Sequence, residues 1–184
     1  MMLLCNFCVL AGFVFALSAC NSVENPKLIE FEAGTVVIHS YELTKKFLSG
    51  NTQAFYDNGH GTQIEYNAPD GKSFLWYPGN QRINVGRWRV QQEGSKPTEI
   101  CYLYGANSYN RVTKKWGGNW KCKEAIDHTV FVSETVRGDP FGLGKRTRVL
   151  FTIVGKSKFP LKSRAVRLGK NPETLYFIKY VDDL

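Results

Sequence analysis

Tyr66-Asn67-Ala68-Pro69-Asp70-Gly71, Ser73-Phe74-Leu75-Trp76-Tyr77, Ile83-Asn84-Val85-Gly86-Arg87-Trp88-Arg89-Val90 and Ile100-Cys101-Tyr102-Leu103-Tyr104 follow one another in a stretch that ends at Cys122. Apolar and aromatic residues alternate with polar ones, the period of a strand with one face buried. Asp70-Gly71 is a hairpin signal, and Pro78-Gly79-Asn80 and Gln91 to Pro97 supply the next two turns. With Ile64 and Tyr66 these runs make four strands, spaced as in an antiparallel sheet or small barrel. Gly86 inside a strand predicts a bulge or a close approach of backbone.

Working outward, Ser40 to Gly50 reads as a short amphipathic helix. Ser40 is its N-cap, Gly50 its C′ residue, and Leu43 with Phe47 its apolar face. Downstream, Asn107 to Lys115 is a polar loop, and Asn119 to Lys123 predicts a strand that sets Cys122 opposite Cys101. Val130 to Val136, Arg148 to Val154, Arg164 to Leu168 and Leu175 to Val181 continue the strand pattern, and Thr35 to Ile38 is a further short candidate. Gly138 to Gly144 is a glycine-rich connector; no Gly-Lys-Ser/Thr follows, so it is not a phosphate loop. The expected fold is mostly β, an antiparallel sheet or small barrel of about eight strands with one short N-terminal helix, forming a single domain over residues 39–184.

The N-terminus has a different character. Met1 to Ala19 carries no charged side chain, and Val9 to Leu17 is a small-and-apolar run of signal-peptide length, short of the roughly 20 residues a spanning helix needs. Leu17-Ser18-Ala19-Cys20 resembles a bacterial lipobox. That resemblance implies a signal peptide over 1–19, a diacylglyceryl group on the Cys20 sulfur, and a lipidated tether over 20–38. Acyl chains at Cys20 would hold the protein at a membrane of the cell envelope, facing the periplasm or the cell surface. The n-region, Met1 to Phe7, has no Lys or Arg, and plain secretion or an uncleaved anchor helix are the alternatives. All three place the rest of the chain outside the cytoplasm. Asn21, not Asp, follows the cysteine, so the familiar inner-membrane retention signal is lacking.

Of five cysteines, Cys5 and Cys8 would leave with the leader and Cys20 would carry lipid. Cys101 and Cys122 remain as one pair in an oxidising compartment, and a disulfide between them is expected. A catalytic thiol at Cys101 is the rival reading, and it needs a histidine partner that the sequence does not supply.

The ordered set Leu48-Ser49-Gly50-Asn51-Thr52, Tyr66, Pro69-Asp70-Gly71, Gly86-x-Trp88-x-Val90 and Cys101-Tyr102 resembles a group of small secreted proteins common in alphaproteobacteria and classed as domains of unknown function. The resemblance spans roughly residues 40 to 125. It implies a compact antiparallel β-domain outside the cytoplasm and carries no assigned reaction.

The net charge is +8, and it is uneven: residues 137–170 hold ten basic side chains and one acidic. Nucleic acid is the usual partner for such a stretch, but the leader removes the chain from that compartment, and no nucleic-acid role is expected. Anionic lipid headgroups, lipopolysaccharide phosphates and peptidoglycan carboxylates are the better matches, with Arg146, Arg148, Lys162 and Arg164 as candidate contacts. A solvated basic face without a ligand is the plain alternative.

Aromatics crowd the organising stretch. Trp88 shares a strand face with Val90 and reads as core, whereas Trp116 and Trp120 flank Gly117-Gly118-Asn119 and are candidate ligand contacts in a loop. His39, His60 and His128 show no metal-ligand spacing, no catalytic signature appears, and no cofactor is expected. The seven acidic residues before Leu75 could hide a glycosidase pair that spacing does not locate. The expectation is a lipid-anchored envelope protein with a binding or structural role, not an enzyme, contacting an anionic envelope ligand or a partner protein. A small envelope hydrolase acting on glycan or peptidoglycan is the alternative. The sequence leaves oligomeric state open.

Overall fold

The computed structural model describes residues 40–178 and two short strands upstream, β1 (Glu30–Phe31) and β2 (Thr35–Val36), which pair antiparallel. The expected signal peptide, Cys20 and most of the tether lie outside these residues, as do His39, residues 37–38 of the short N-terminal strand candidate and residues 179–181 of the last predicted strand.

Helix α1 (Tyr41–Leu48) begins where its cap predicts: the Ser40 hydroxyl accepts the Leu43 N–H at 3.3 Å. It ends at Gly50, whose φ of 73° is the left-handed conformation that glycine adopts without strain. The Asn51 side chain then donates to the carbonyls of Lys46 and Phe47, satisfying two orphan acceptors of the last turn. Beyond it the chain forms β3 (Asn51–Asp57), β4 (Gly61–Asn67), β5 (Lys72–Trp76), β6 (Asn84–Gln91) and β7 (Glu99–Tyr104), each antiparallel to the last. Strands β8 (Tyr109–Asn110) and β9 (Lys115–Trp116) make a small hairpin inside the predicted loop. Strand β10 (Lys121–Glu124) pairs with β7, helix α2 (Ala125–Thr129) follows, and β11 (Val132–Arg137) pairs with β3. The result is a curled half-barrel of seven antiparallel strands in the order β10-β7-β6-β5-β4-β3-β11.

Residues directly opposite in the ladders share a face. Ala54, Ile64, Trp76 and Val136 point outward. There the chain after β11 covers them with Phe141, Leu143, Ile153, Leu161, Ala165 and Leu175. Trp76 is fully buried, and its indole N–H donates to the Phe151 carbonyl at 3.0 Å. On the inner face, Leu48 of α1 packs with Trp88, Val90, Ile100 and Ala125, while Phe47 meets Phe55 and Val132. Helix α1 therefore closes one end of the half-barrel.

Three expectations about the C-terminal region are corrected. Arg164 to Leu168 is not a strand: it lies in and just beyond helix α3 (Leu161–Arg167), whose buried Leu161 and Ala165 stand one helical turn apart and stop at Gly169. Arg148 to Val154 runs beside residues 79–83 through one isolated bridge, Arg82 to Arg148, because its apolar side chains turn onto the outer face and leave no continuous ladder. Of Leu175 to Val181, the described residues 175–178 form no strand: Phe177 alone among them bridges to Val136, with flanking backbone bonds closing the β11 edge. In the other direction, β3 has little apolar alternation because both of its faces are buried.

Cys122 lies opposite Cys101 in the β10–β7 register, and the two form a disulfide. The bridge pins β10 to the sheet and closes a loop of 21 residues' separation. Replacing both cysteines by alanine should lower the free energy of unfolding by ~3 kcal/mol in the chain-entropy treatment. Denaturant titration of the double variant checks this, and the midpoint should fall without loss of the β-sheet circular dichroism.

Candidate functional site

The inner face opposite α1 is open. There the half-barrel holds a cleft of about 740 Å³, within the 300–1,000 Å³ range of small-ligand sites. Its walls are aromatic: Phe55, Tyr77, Tyr102 and Tyr104 from the sheet, Tyr109 and Trp116 from the β8–β9 hairpin, and Phe131 after α2. Gly117 lets that hairpin return tightly, because a Cβ there would lie 2.2 Å from the Gly105 carbonyl oxygen. The Asn110 carboxamide fixes the hairpin's tip by accepting the N–H groups of Val112 and Thr113.

Glu65 forms the floor. It is 5% exposed, and the Tyr104 hydroxyl donates to its Oε1 across two intervening strands. Gly86 makes that reach possible. It faces Tyr104 in the β6–β7 register, and a Cβ on it would sit 2.7 Å from the tyrosine ring. The predicted special role of Gly86 is thus a close approach, with a side chain as the neighbour.

Burial raises the Glu65 carboxyl from 4.5 to about 7; the Tyr104 bond and the nearby Ser73 hydroxyl offset only part of that rise. The Tyr102 and Tyr104 phenols are pushed well above their ordinary value, first by burial and then by the Glu65 charge. Behind the floor, Gln53, Asn67, Ser73 and the Tyr102 hydroxyl are buried without completing a hydrogen bond among the described residues. Asn67 lies near the Tyr102 hydroxyl, and Ser73 near Glu65, short of good geometry. His128 is wedged between Phe55, at 4.8 Å between ring centres, and Tyr102, at 5.5 Å. Burial, with Lys123 beside it, lowers its pKa from 6.5 to about 3, so the ring is neutral. His60 Nδ1, just before β4, shares a 2.5 Å hydrogen bond with the hydroxyl of Tyr77, just after the neighbouring β5.

Two carboxyl groups line the cleft, Glu65 and Asp57. Asp57 pairs with Gly61, four residues from Glu65 along β4, which sets the two backbone positions about 13 Å apart along the strands. Glycosidase pairs stand roughly 5 to 9.5 Å apart. The Asp57 carboxylate is also engaged by the N–H groups of Gly59 and His60. At the mouth the charges are positive: Lys115, Lys121 and Lys123, the last lying 5.8 Å from the centre of the Phe131 ring. Among the described residues, Glu99 with the two cysteines is the sole close grouping of metal-ligand types, and those sulfurs are bonded to each other.

The two tryptophan candidates are separated. Trp116 lines the cleft, 62% exposed, with its ring 4.9 Å from that of Tyr109. Trp120 is half-buried on the outer side, where the Arg89 guanidinium stacks 4.4 Å above it. The four basic candidates have three different settings. Arg146 and Arg148 border a shallow depression with Phe74 and Val85, and Arg146 donates to the Gly142 carbonyl. Lys162 is paired with Glu173 at 3.0 Å. Arg164 is 4% exposed, packed on Phe159 and Phe151, and burial lowers its pKa. Glu65, Tyr104 and His128 are the cleft groups that the sequence reading missed. Gly86 was the one signal pointing toward them.

No protein family, curated protein or solved structure matches this chain.

Glu65 and His128 make opposing contributions to stability. Glu65, with its folded pKa raised, favours the folded state at low pH and loses that contribution between pH 4.5 and about 7. His128, with its folded pKa depressed, loses its contribution as pH falls from 6.5 toward about 3. Between pH 4.5 and 6.5 the two slopes cancel. Chemical denaturation across that window should show Glu65→Gln gaining stability as pH rises and His128→Asn losing it, each by on the order of 3 kcal/mol. Gly86→Ala should cost roughly 1–3 kcal/mol, as overpacking does, and should quench the near-ultraviolet tyrosine signal that Tyr104 contributes.

Proposed function

We propose that this protein is a lipid-anchored ligand-binding protein of the bacterial cell envelope, whose half-barrel cleft takes a small molecule bearing an anionic group. The observation that carries this reading is the cleft itself. It is aromatic on its walls, closed at one end by α1, and ringed at its mouth by Lys115, Lys121 and Lys123. Its buried Glu65 is held by Tyr104, and Asp57 keeps its charge while accepting two backbone N–H groups, so three lysines against these two carboxyl groups leave the lining net cationic. An anionic group at the mouth meets those lysines while ring surfaces cover the rest of the molecule. The anchor rests on Leu17-Ser18-Ala19-Cys20. The basic stretch after Val136 contributes less than its charge suggests, since Arg164 and Lys162 are already engaged within the fold.

A glycan hydrolase needs a second carboxyl group within reach of Glu65; the backbone of Asp57 is about 13 Å away along the strands, and its carboxylate is engaged by the Gly59 and His60 N–H groups. Binding is the reading this geometry favours.

An anionic aromatic dye, anilinonaphthalene sulfonate, should bind the folded protein one to one. The double variant Lys121→Glu, Lys123→Glu should weaken it about tenfold, or 1.4 kcal/mol. Equal affinity in the wild type and the variant would remove the anionic-ligand reading. In cells, radiolabelled palmitate should enter the protein and be lost in Cys20→Ala; label that persists in that variant would remove the anchor.

A further inference from the structure

We infer that the ligand of this cleft is a saccharide carrying an anionic substituent, its ring lying against the aromatic wall with its hydroxyl and amide groups turned to the side-chain amides of the sheet. This inference rests on reading the cleft as a binding site, and it names the chemistry that site would select.

The polar groups along the cleft are mostly neutral and mixed in sense. Gln63, Asn80, Asn84 and Asn119 line it, and each carboxamide offers both a donor and an acceptor. Asn80 and Asn84 bond to each other at 3.2 Å, which leaves one amide end of each available. Gln63 is half-buried and Asn119 exposed, and neither side chain completes a hydrogen bond among the described residues. At the floor, Glu65 and Tyr104 close the cleft with a polar pair instead of an apolar one.

An acyl chain inserted here would desolvate these groups without replacing their hydrogen bonds, at a cost of roughly 1–3 kcal/mol for each one stranded. The depth of the cleft is therefore wrong for a lipid tail. A sugar ring suits it, because its hydroxyls both donate and accept while its C–H faces are apolar. Trp116 and Tyr109 present ring faces for that second property, and both are exposed at the mouth, at 62% and 44%. The lysines at the same end select a carboxylate or phosphate on the sugar.

Three sugars and the dye separate the possibilities, read by tryptophan fluorescence and isothermal titration on the full folded domain. N-acetylmuramic acid and N-acetylglucosamine 1-phosphate carry the anionic group as carboxylate and as phosphate; N-acetylglucosamine carries none. One or both of the anionic sugars should bind about tenfold tighter than the neutral one, and the tighter of the two identifies the source of the charge. The double variant Gln63→Ala, Asn119→Ala breaks no bond within the fold and should weaken the anionic sugar about tenfold while leaving dye binding unchanged. Trp116→Ala, at an exposed position, should weaken both. Dye binding without sugar binding overturns the saccharide and leaves the anionic-ligand reading standing. Sugar affinity that is equal for neutral and anionic rings, or unmoved by the amide variant, also overturns it. Failure of dye and sugars alike overturns both readings.

Discussion

A sheet has two faces, and what this chain does with each determines everything else in the molecule. The outer face is covered by the chain's own C-terminal segment, with Phe141, Leu143, Ile153, Leu161 and Ala165 packed on Ala54, Ile64, Trp76 and Val136. The inner face is only half covered. Helix α1 plugs one end through Phe47 and Leu48, and among the described residues no comparable apolar element covers the other. Curvature turns the uncovered half into a concave surface, and a concave surface lined by rings excludes water poorly unless something fills it. Among the described residues, the cleft follows from packing the apolar side chains on one face and one end.

The chemistry of the uncovered half follows from burial as much as from residue type. Glu65 is a carboxyl group in a place that disfavours its charge, and Tyr104 supplies one hydrogen bond where solvent would supply several. That bond depends on Gly86, since any side chain there would occupy the path of the tyrosine ring across β6. His128 is forced into its neutral form by the same surroundings. Near neutral pH the floor therefore carries little net charge, and the lysines at the mouth dominate the field that an approaching molecule meets.

Legibility in the sequence tracked how local the determining interactions were. The α1 caps, the Asp70-Gly71 turn and the alternation in β5 to β7 depend on neighbours a few residues away, and they could be read directly. So could the Cys101–Cys122 pairing, which follows from cysteine count and strand register. Strand β3 could not: Asn51-Thr52-Gln53 is polar, and it is buried because both faces of the sheet are covered by distant segments. Helix α3 was readable in principle, from Leu161 and Ala165 at helical spacing between Pro160 and Gly169, but the β-branched and aromatic content around it matched a strand as well. The site was least legible. Glu65 and Tyr104 are 39 residues apart and meet only because the sheet curls.

Charge counting along a chain says little about which cations stay free, for a related reason. Residues 137–170 are the most basic segment, yet folding consumes much of that charge locally: Lys162 on Glu173, Arg164 on two phenylalanine rings, Arg146 on a backbone carbonyl. A cation already stacked or paired offers an external anion less than its formal charge suggests. Lys115, Lys121 and Lys123 come from residues 111–123, a shorter run with five basic side chains and no acidic one, and β9 and β10 set them at the open end of an aromatic cleft, with Lys123 over the Phe131 ring. There a modest charge acts next to a low-dielectric wall, where the same Coulomb attraction is screened less than on the open surface. An anion brought to that mouth would therefore meet a charge less screened than one on the outer cover.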